Sequence, residues 1–252
     1  MIGPGSRDAS WPGVTDRIEG VTFRGLRDAV AWLSFTRCEL IDCVFEDCTV
    51  DWDFGGRTAD QQAASVLTGC RFVGCDMREF RCHYGRVIGS VFQECDWRGA
   101  SLSTLDLVDN RFVGVVESLT LFGVDLPLYP GAPCRDQRNV LRGNDFRESD
   151  LRGLGLRAGV PVEHQRWPQG EACAVVDRVH ERVVELGRGL RGRSDPEAEL
   201  LRTAIGDFEF WDVLAVPQDS LWMRWDDPIM PERSNTFHRA LSQVKLTASP
   251  GG

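Results

Sequence analysis

Residues 70–124 divide into eleven consecutive five-residue units with no break between them: CRFVG, CDMRE, FRCHY, GRVIG, SVFQE, CDWRG, ASLST, LDLVD, NRFVG, VVESL and TLFGV. The third place holds Phe72, Met77, Cys82, Val87, Phe92, Trp97, Leu102, Leu107, Phe112, Glu117 and Phe122, large and apolar except at Cys82 and Glu117. The first place is mostly small, as at Cys70, Cys75, Gly85, Ser90, Cys95 and Ala100. A period of five is neither the two of a strand nor the 3.6 of a helix. It calls for a backbone wound so that two residues in every five face inward. An inward Glu117 would bury a carboxylate, which is costly unless it is paired, so a local distortion is expected near VVESL.

The register recurs over 38–52 (CELID, CVFED, CTVDW) and over 139–158 (NVLRG, NDFRE, SDLRG, LGLRA). A longer period of 20 links Phe72, Phe92 and Phe112. With insertions of two, seven and fourteen residues it extends to Phe23, Phe45 and Phe146. A fixed period with insertions marks a solenoid. Four five-residue faces per turn, with turns about 4.8 Å apart, would place Phe23, Phe45, Phe72, Phe92, Phe112 and Phe146 in one interior column.

These units resemble the pentapeptide-repeat family, whose consensus is A(D/N)LXX with Leu or Phe in the third place. SDLRG (149–153) and NDFRE (144–148) are close matches; ASLST (100–104) and CDWRG (95–99) are looser. The resemblance covers about 20–158 and implies a mainly β fold, a right-handed quadrilateral β-helix. The expected organisation is a flexible leader over 1–17, the coil over 18–158 and an α-rich region over 159–252. Two segments leave the register and read as loops on the coil, 53–69 and 125–138, the latter with three prolines.

Beyond the coil, GVPVEHQRWPQG (159–170) reads as a connector. Residues 171–187 show a helical stripe of Ala172, Val175, Val176, Val179, Val183 and Leu186. Ser194-Asp195-Pro196 is a helix start, with the helix expected to run to about Ala204, and a last short helix is expected over 233–246. Phe208, Phe210, Trp211, Trp222 and Trp225 read as a small core.

Net charge is −9 over 252 residues, and neither the coil nor the C-terminal region is basic, which argues against a general nucleic-acid binder. No apolar run reaches 18 residues and the first residues lack a signal-peptide core, so the expected location is the cytoplasm. Cys38, Cys43, Cys48, Cys70, Cys75 and Cys95 take the small first place, where a free thiol acts as a small buried hydrophobe. Their spacing of five does not match zinc ligation. His83, His164, His180 and His238 are scattered, and no catalytic motif is present. Cys134 and Cys173 are the candidates for an activated thiol, with an inert role the plainer reading. No enzyme activity, metal or cofactor is expected.

Aligning the turns sets Asp47, Glu94 and Glu148 in one outward row and Asp76, Asp96 and Asp150 in its neighbour. Quinolone-resistance members of the family bind DNA gyrase and are described as DNA mimics. The resemblance therefore implies that these rows face a type II topoisomerase and protect it from a poison, with loops 53–69 and 125–138 setting specificity. Six turns span roughly 29 Å at ~4.8 Å each, and DNA of that length carries about 17 charges. Residues 1–158 carry a net of only −5. Arg78, Arg98 and Arg152 lie two residues beyond Asp76, Asp96 and Asp150, so a salt-bridge ladder is the competing reading of this face. The gyrase-binding members end in a short helix that pairs two rods; here over 90 residues follow the coil. The alternative function is an interaction scaffold, with the rod as spacer and 159–252 as the partner-binding or homodimerising part.

Overall fold

The structure, a computed structural model, describes residues 17–27, 38–50, 65–80, 85–103, 105–124, 138–212 and 218–246, with the side chains of 209–212 outside that description. Most of the leader, residues 53–64 and 125–137, Cys82, His83, Cys134 and the Phe210 and Trp211 side chains therefore lie outside the described residues.

The chain is mainly β, built as a solenoid-like stack of short parallel strands. One six-stranded parallel sheet joins Arg17–Glu19, Glu39–Ile41, Val66–Thr68, Arg86–Ile88, Asp106–Val108 and Leu141–Arg142 in that order. A second joins Thr22–Arg24, Val44–Glu46, Arg71–Val73, Val91–Gln93, Arg111–Glu117 and Asp145–Arg152. A third joins Ser101–Leu102, Thr120–Phe122 and Gly155–Arg157. Isolated parallel bridges link Thr49 to Asp76 and Asp76 to Asp96. Each strand's central residue points inward, and the next inward residue follows across a corner, which is what a period of five does to a pleated backbone.

The six phenylalanines stack ring on ring. Successive centroids are 4.5–5.0 Å apart with interplanar angles of 20° or less. That separation is the distance between hydrogen-bonded strands, so the backbone sets it. Each buried ring contributes roughly 1.5–3 kcal/mol.

Side chains in the small first place tie turn to turn. The Cys43, Cys70 and Cys75 thiols donate to the carbonyls of Ile18, Leu40 and Phe45 at 3.3–3.5 Å. Toward the C-terminal end amides take over. Asn110 Nδ2 donates to Val87 O and Asn144 Nδ2 to Leu107 O, both at 2.9 Å. Asn144 Oδ1 accepts from the Asn110 backbone N–H at 3.2 Å.

The unbroken register over 70–124 needs one correction. Arg111 pairs with Asp145 but Val113 with Glu148, so the step from Phe112 to the next inward residue, Val116, is one residue shorter than the step from Phe146 to Leu151 on the next turn. Gly114, at φ +94°, makes this possible. Val116 and Leu121 are then buried, while Glu117 and Phe122 are only partly covered. The slip keeps the Glu117 carboxylate out of an apolar interior where it would have no partner.

The boundaries also shift. Residues 65–69, assigned to the loop over 53–69, belong to the stack: Val66–Thr68 is a strand and Leu67 is fully buried. The connector 159–170 acts as a cap. Trp167 stacks on Phe146 at 5.0 Å, and Trp222 on Trp167 at 5.8 Å, extending the aromatic column by two rings. Gln165 Oε1 accepts from Asn144 Nδ2 at 2.9 Å and its Nε2 donates to Leu141 O at 2.8 Å, extending the amide ladder.

The helix expected over 171–187 is shorter. Cys173–Val176 is a strand, paired antiparallel with Leu221–Arg224. Val175 is exposed and Val176 buried, the period of two that pairing demands. Arg178, at φ +47°, separates this strand from helix α1 (Val179–Gly189), whose Val179 and Val183 are buried. Helix α2 runs Pro196–Asp212, well beyond Ala204. Asp195 caps it, its Oδ1 accepting from Ala198 N–H at 3.1 Å. Helix α3 spans Glu232–Gln243. The helices and the two-stranded sheet share a second core, including Val176, Val183, Leu201, Met223 and Phe237.

Gly123 gives a direct check on how coil and cap meet. A Cβ there would fall inside the backbone of Ala158 and Gly159, which cannot yield as a side chain can. Gly123→Ala is expected to cost roughly 1–3 kcal/mol in denaturant titration. Gly189→Ala, on α1 with open space around it, should be neutral or gain up to about 1 kcal/mol. Equal stability of the two variants would contradict the close approach.

Candidate functional site

The first acidic row lies on a corner of the stack. Gly25, Asp47, Gly74, Glu94 and Gly114 succeed one another there, all at positive φ between 52° and 94°. Each N–H of the first four donates to a carbonyl of the following turn at 2.9 Å. Glycine reaches this conformation freely; a side chain there carries strain. Acid and glycine alternate, and the carboxylates use the gap. A Cβ on Gly74 would lie 3.0 Å from Asp47 Oδ1, and one on Gly114 would lie 2.6 Å from the Glu94 carboxylate. Glu148, two turns past Glu94, has no positive φ.

Two of these three acids are paired. Asp47 Oδ1 meets Arg27 Nη2 at 2.7 Å, and Glu148 Oε1 meets Arg111 Nη2 at 2.5 Å. Glu94 makes no ion pair among the described residues.

The second row is paired throughout. Arg78 forks onto Asp76 with Nε–Oδ1 2.9 Å and Nη2–Oδ2 2.6 Å, and its Nε also lies 3.7 Å from Asp96. Arg98 grips Asp96 in the same way. Asp150 binds Arg152 Nη2 at 2.5 Å and Arg224 Nη1 at 2.6 Å. Val115 stands between Asp96 and Asp150 in this row. The arginine forks hold Asp76 and Asp96 below the usual carboxylate range. Burial pushes Asp150 up, but Arg152 and Arg224 outweigh it and the net shift is downward. These acids therefore stay ionised and locally neutralised at neutral pH. Exposed pairs of this kind add little to stability; the larger consequence is that the face alternates in sign.

A fourth fork was not read from the sequence: Arg147 on Asp145, which is held at about 2 chiefly by that hydrogen bond. Its signal was present, because DMR, DWR, DFR and DLR all place Asp and Arg two apart in the same places of a unit. Arg224 carried no such signal, being 74 residues from Asp150.

The C-terminal region is fixed to the last turn by polar contacts as well as by rings. Gly153 N–H donates to Asp227 Oδ2 at 2.6 Å. Gln218 accepts from Val160 N–H at 2.9 Å and donates to Val160 O at 2.8 Å.

The thiols are structural. Burial pushes Cys70 up to about 12. A contact with Cys48 pulls Cys75 down, but the contact with Cys95 and burial outweigh it and leave it at about 12. Cys173 is half-buried, with its Sγ 3.6 Å from Pro168 O, and burial raises it too. A thiol held protonated is a poor nucleophile. Iodoacetamide mapped by mass spectrometry should leave Cys38, Cys43, Cys48, Cys70, Cys75 and Cys95 unlabelled until denaturant is added. Labelling of Cys75 in the native protein would overturn this packing.

His164 is exposed and His180 partly covered. His238 donates from Nδ1 to Arg224 O at 3.0 Å, and burial lowers its pKa. Among the described residues no group of three or more His, Cys, Asp or Glu side chains is placed to hold a metal ion. No helix among them is long and apolar enough to cross a membrane.

No family model matches the chain, and no curated protein matches it.

Proposed function

We propose that this protein is a non-enzymatic, cytoplasmic interaction scaffold of the pentapeptide-repeat kind. The coil, read as a right-handed quadrilateral β-helix, serves as a rigid spacer, and the C-terminal region engages a protein partner or a second copy of the chain. The observation that carries this reading is the pairing of the outward acids with arginines: Asp47 with Arg27, Asp76 with Arg78, Asp96 with Arg98, Glu148 with Arg111, and Asp150 with Arg152 and Arg224. A face of alternating sign suits specific protein contacts better than imitation of a uniformly anionic polymer. The exposed Val175 and Val184 on the C-terminal region are the apolar groups through which a partner would dock.

A second reading keeps the acidic rows as the working surface, facing the DNA-binding saddle of gyrase or another type II topoisomerase and protecting it from a poison. It is favoured by Glu94, which has no ion pair among the described residues, and by the net charge of −9.

Capture from the host lysate with the full chain separates the two. The scaffold reading expects a partner, or self-association, retained from about 0.05 to 0.5 M salt and lost in Val175→Glu/Val184→Glu. The second reading expects a topoisomerase that is released as salt shortens the Debye length and lost in Glu94→Lys/Asp96→Lys. Retention of the same partner by Val175→Glu/Val184→Glu would remove the scaffold surface named here.

A further inference from the structure

A cavity of about 350 Å³ lies where the last turn of the coil meets α2, α3 and the strand Leu221–Arg224. Its wall is mixed: Leu156, Phe208, Met223 and Phe237 give it an apolar side, and Arg157, Asp207, Arg233 and His238 a polar one. That size is in the range of small-molecule sites, which hold a ligand by apolar contact and a few convergent polar groups.

Two polar groups of that kind are present. Trp222 is 8% exposed, and its buried Nε1–H finds no acceptor among the described residues. A buried donor left without an acceptor is unfavourable, and a ligand acceptor would relieve it. Stacking on Trp167 and pairing of its strand with Cys173–Val176 hold the indole in place. His238 is the second group. The Arg224 carbonyl can only accept, so the bond it makes to Nδ1 fixes the proton there. Nε2 then keeps a lone pair, and burial keeps the ring neutral at neutral pH. The wall's charged side chains are engaged: Arg233 pairs with Asp207 at 3.3 Å and Arg157 has an interaction of its own, so the site does not call for a charged ligand.

We propose that this cavity binds a neutral, amphipathic small molecule of the aromatic-alcohol class, one that accepts a hydrogen bond from Trp222 Nε1 and donates one to His238 Nε2. Such a ligand would sit against both the capping strand and the last turn, so its binding would also tighten the joint between coil and C-terminal region. This site is independent of the partner surface proposed above.

The test is calorimetric titration of the full-length protein with 1-naphthol, and with naphthalene as the ligand lacking the hydroxyl. One saturable site is expected, with 1-naphthol favoured over naphthalene about tenfold or more, the effect of two hydrogen bonds to buried groups. Trp222→Phe keeps a ring against Trp167 and removes the donor, so the preference should fall severalfold, to what the His238 bond alone supplies. Ala204→Phe fills the space and should abolish binding. Circular dichroism and thermal melts of each variant report folding, and the comparison of the two ligands on the wild type does not depend on any variant folding. Absence of saturable 1-naphthol binding by the wild type, equal affinity for the two ligands, or unchanged binding in a folded Ala204→Phe would each overturn the proposal.

Discussion

Phe92→Asp is expected to leave no folded protein. Phe92 stacks between Phe72 and Phe112 at centroid distances of 4.8 and 5.0 Å, with the edge of Trp97 at 5.1 Å. Removing a buried phenylalanine ring costs roughly 3–5 kcal/mol. An unpaired carboxylate in the same place costs several kcal/mol more. A domain has only about 5–15 kcal/mol in all, and a column in which each turn rests on its neighbours offers no independent half to retain. Far-UV circular dichroism and soluble yield report the outcome. A soluble, fully folded Phe92→Asp protein would sink the stacking register.

Asn144→Leu should come second in effect. The change nearly conserves volume, so its cost is polar. It strips the acceptor from the Asn110 N–H, and the donor from Leu107 O and from Gln165 Oε1, all inside the stack. Gln165 Oε1 keeps the Asn144 backbone N–H at 3.2 Å, so two groups are left unsatisfied, and at about 1–3 kcal/mol each the loss is roughly 2–6 kcal/mol. Ser149→Ala, which removes one bond to Phe112 O at 2.8 Å, should cost about 0.5–1.5 kcal/mol. Comparable denaturation midpoints for the two variants would show that the amide ladder is not cooperative.

How much of this was legible depended on how each residue's chemistry limits its choices. The phenylalanines recur once per turn, among small or polar neighbours, so one register accounts for Phe23 through Phe146. Past Phe112 the stretch VGVVESLTLF is apolar in either of two registers. Only Glu117 distinguished them, and it pointed to the distortion without giving its form. The strand at Cys173–Val176 was hidden because Val175 and Val176 suit a helical stripe as well as a strand; its partner, Leu221–Arg224, lies about 48 residues on. The cap was legible in retrospect. N-D-F at 144–146 and Q-R-W at 165–167 share the order amide, charged, aromatic, and the structure places Gln165 beyond Asn144 and Trp167 beyond Phe146. The outward acids could be placed from the repeat. Their neutralisation could be read only where the arginine lies two residues away, as at Arg78 and Arg98, and not at Arg27, Arg111 or Arg224, which arrive from other turns or from the C-terminal region.

The surface that carries function is the one on which the two readings part. If the paired arginines make the coil a mixed-charge spacer, the protein has no reason to compete with DNA. A gyrase supercoiling and cleavage assay with the purified full-length protein, with and without a fluoroquinolone and across salt, measures this most directly. The scaffold reading predicts no inhibition and no protection at micromolar protein. Inhibition or protection that weakens with salt and disappears in Glu94→Lys/Asp96→Lys would contradict it and establish the acidic rows as the working face.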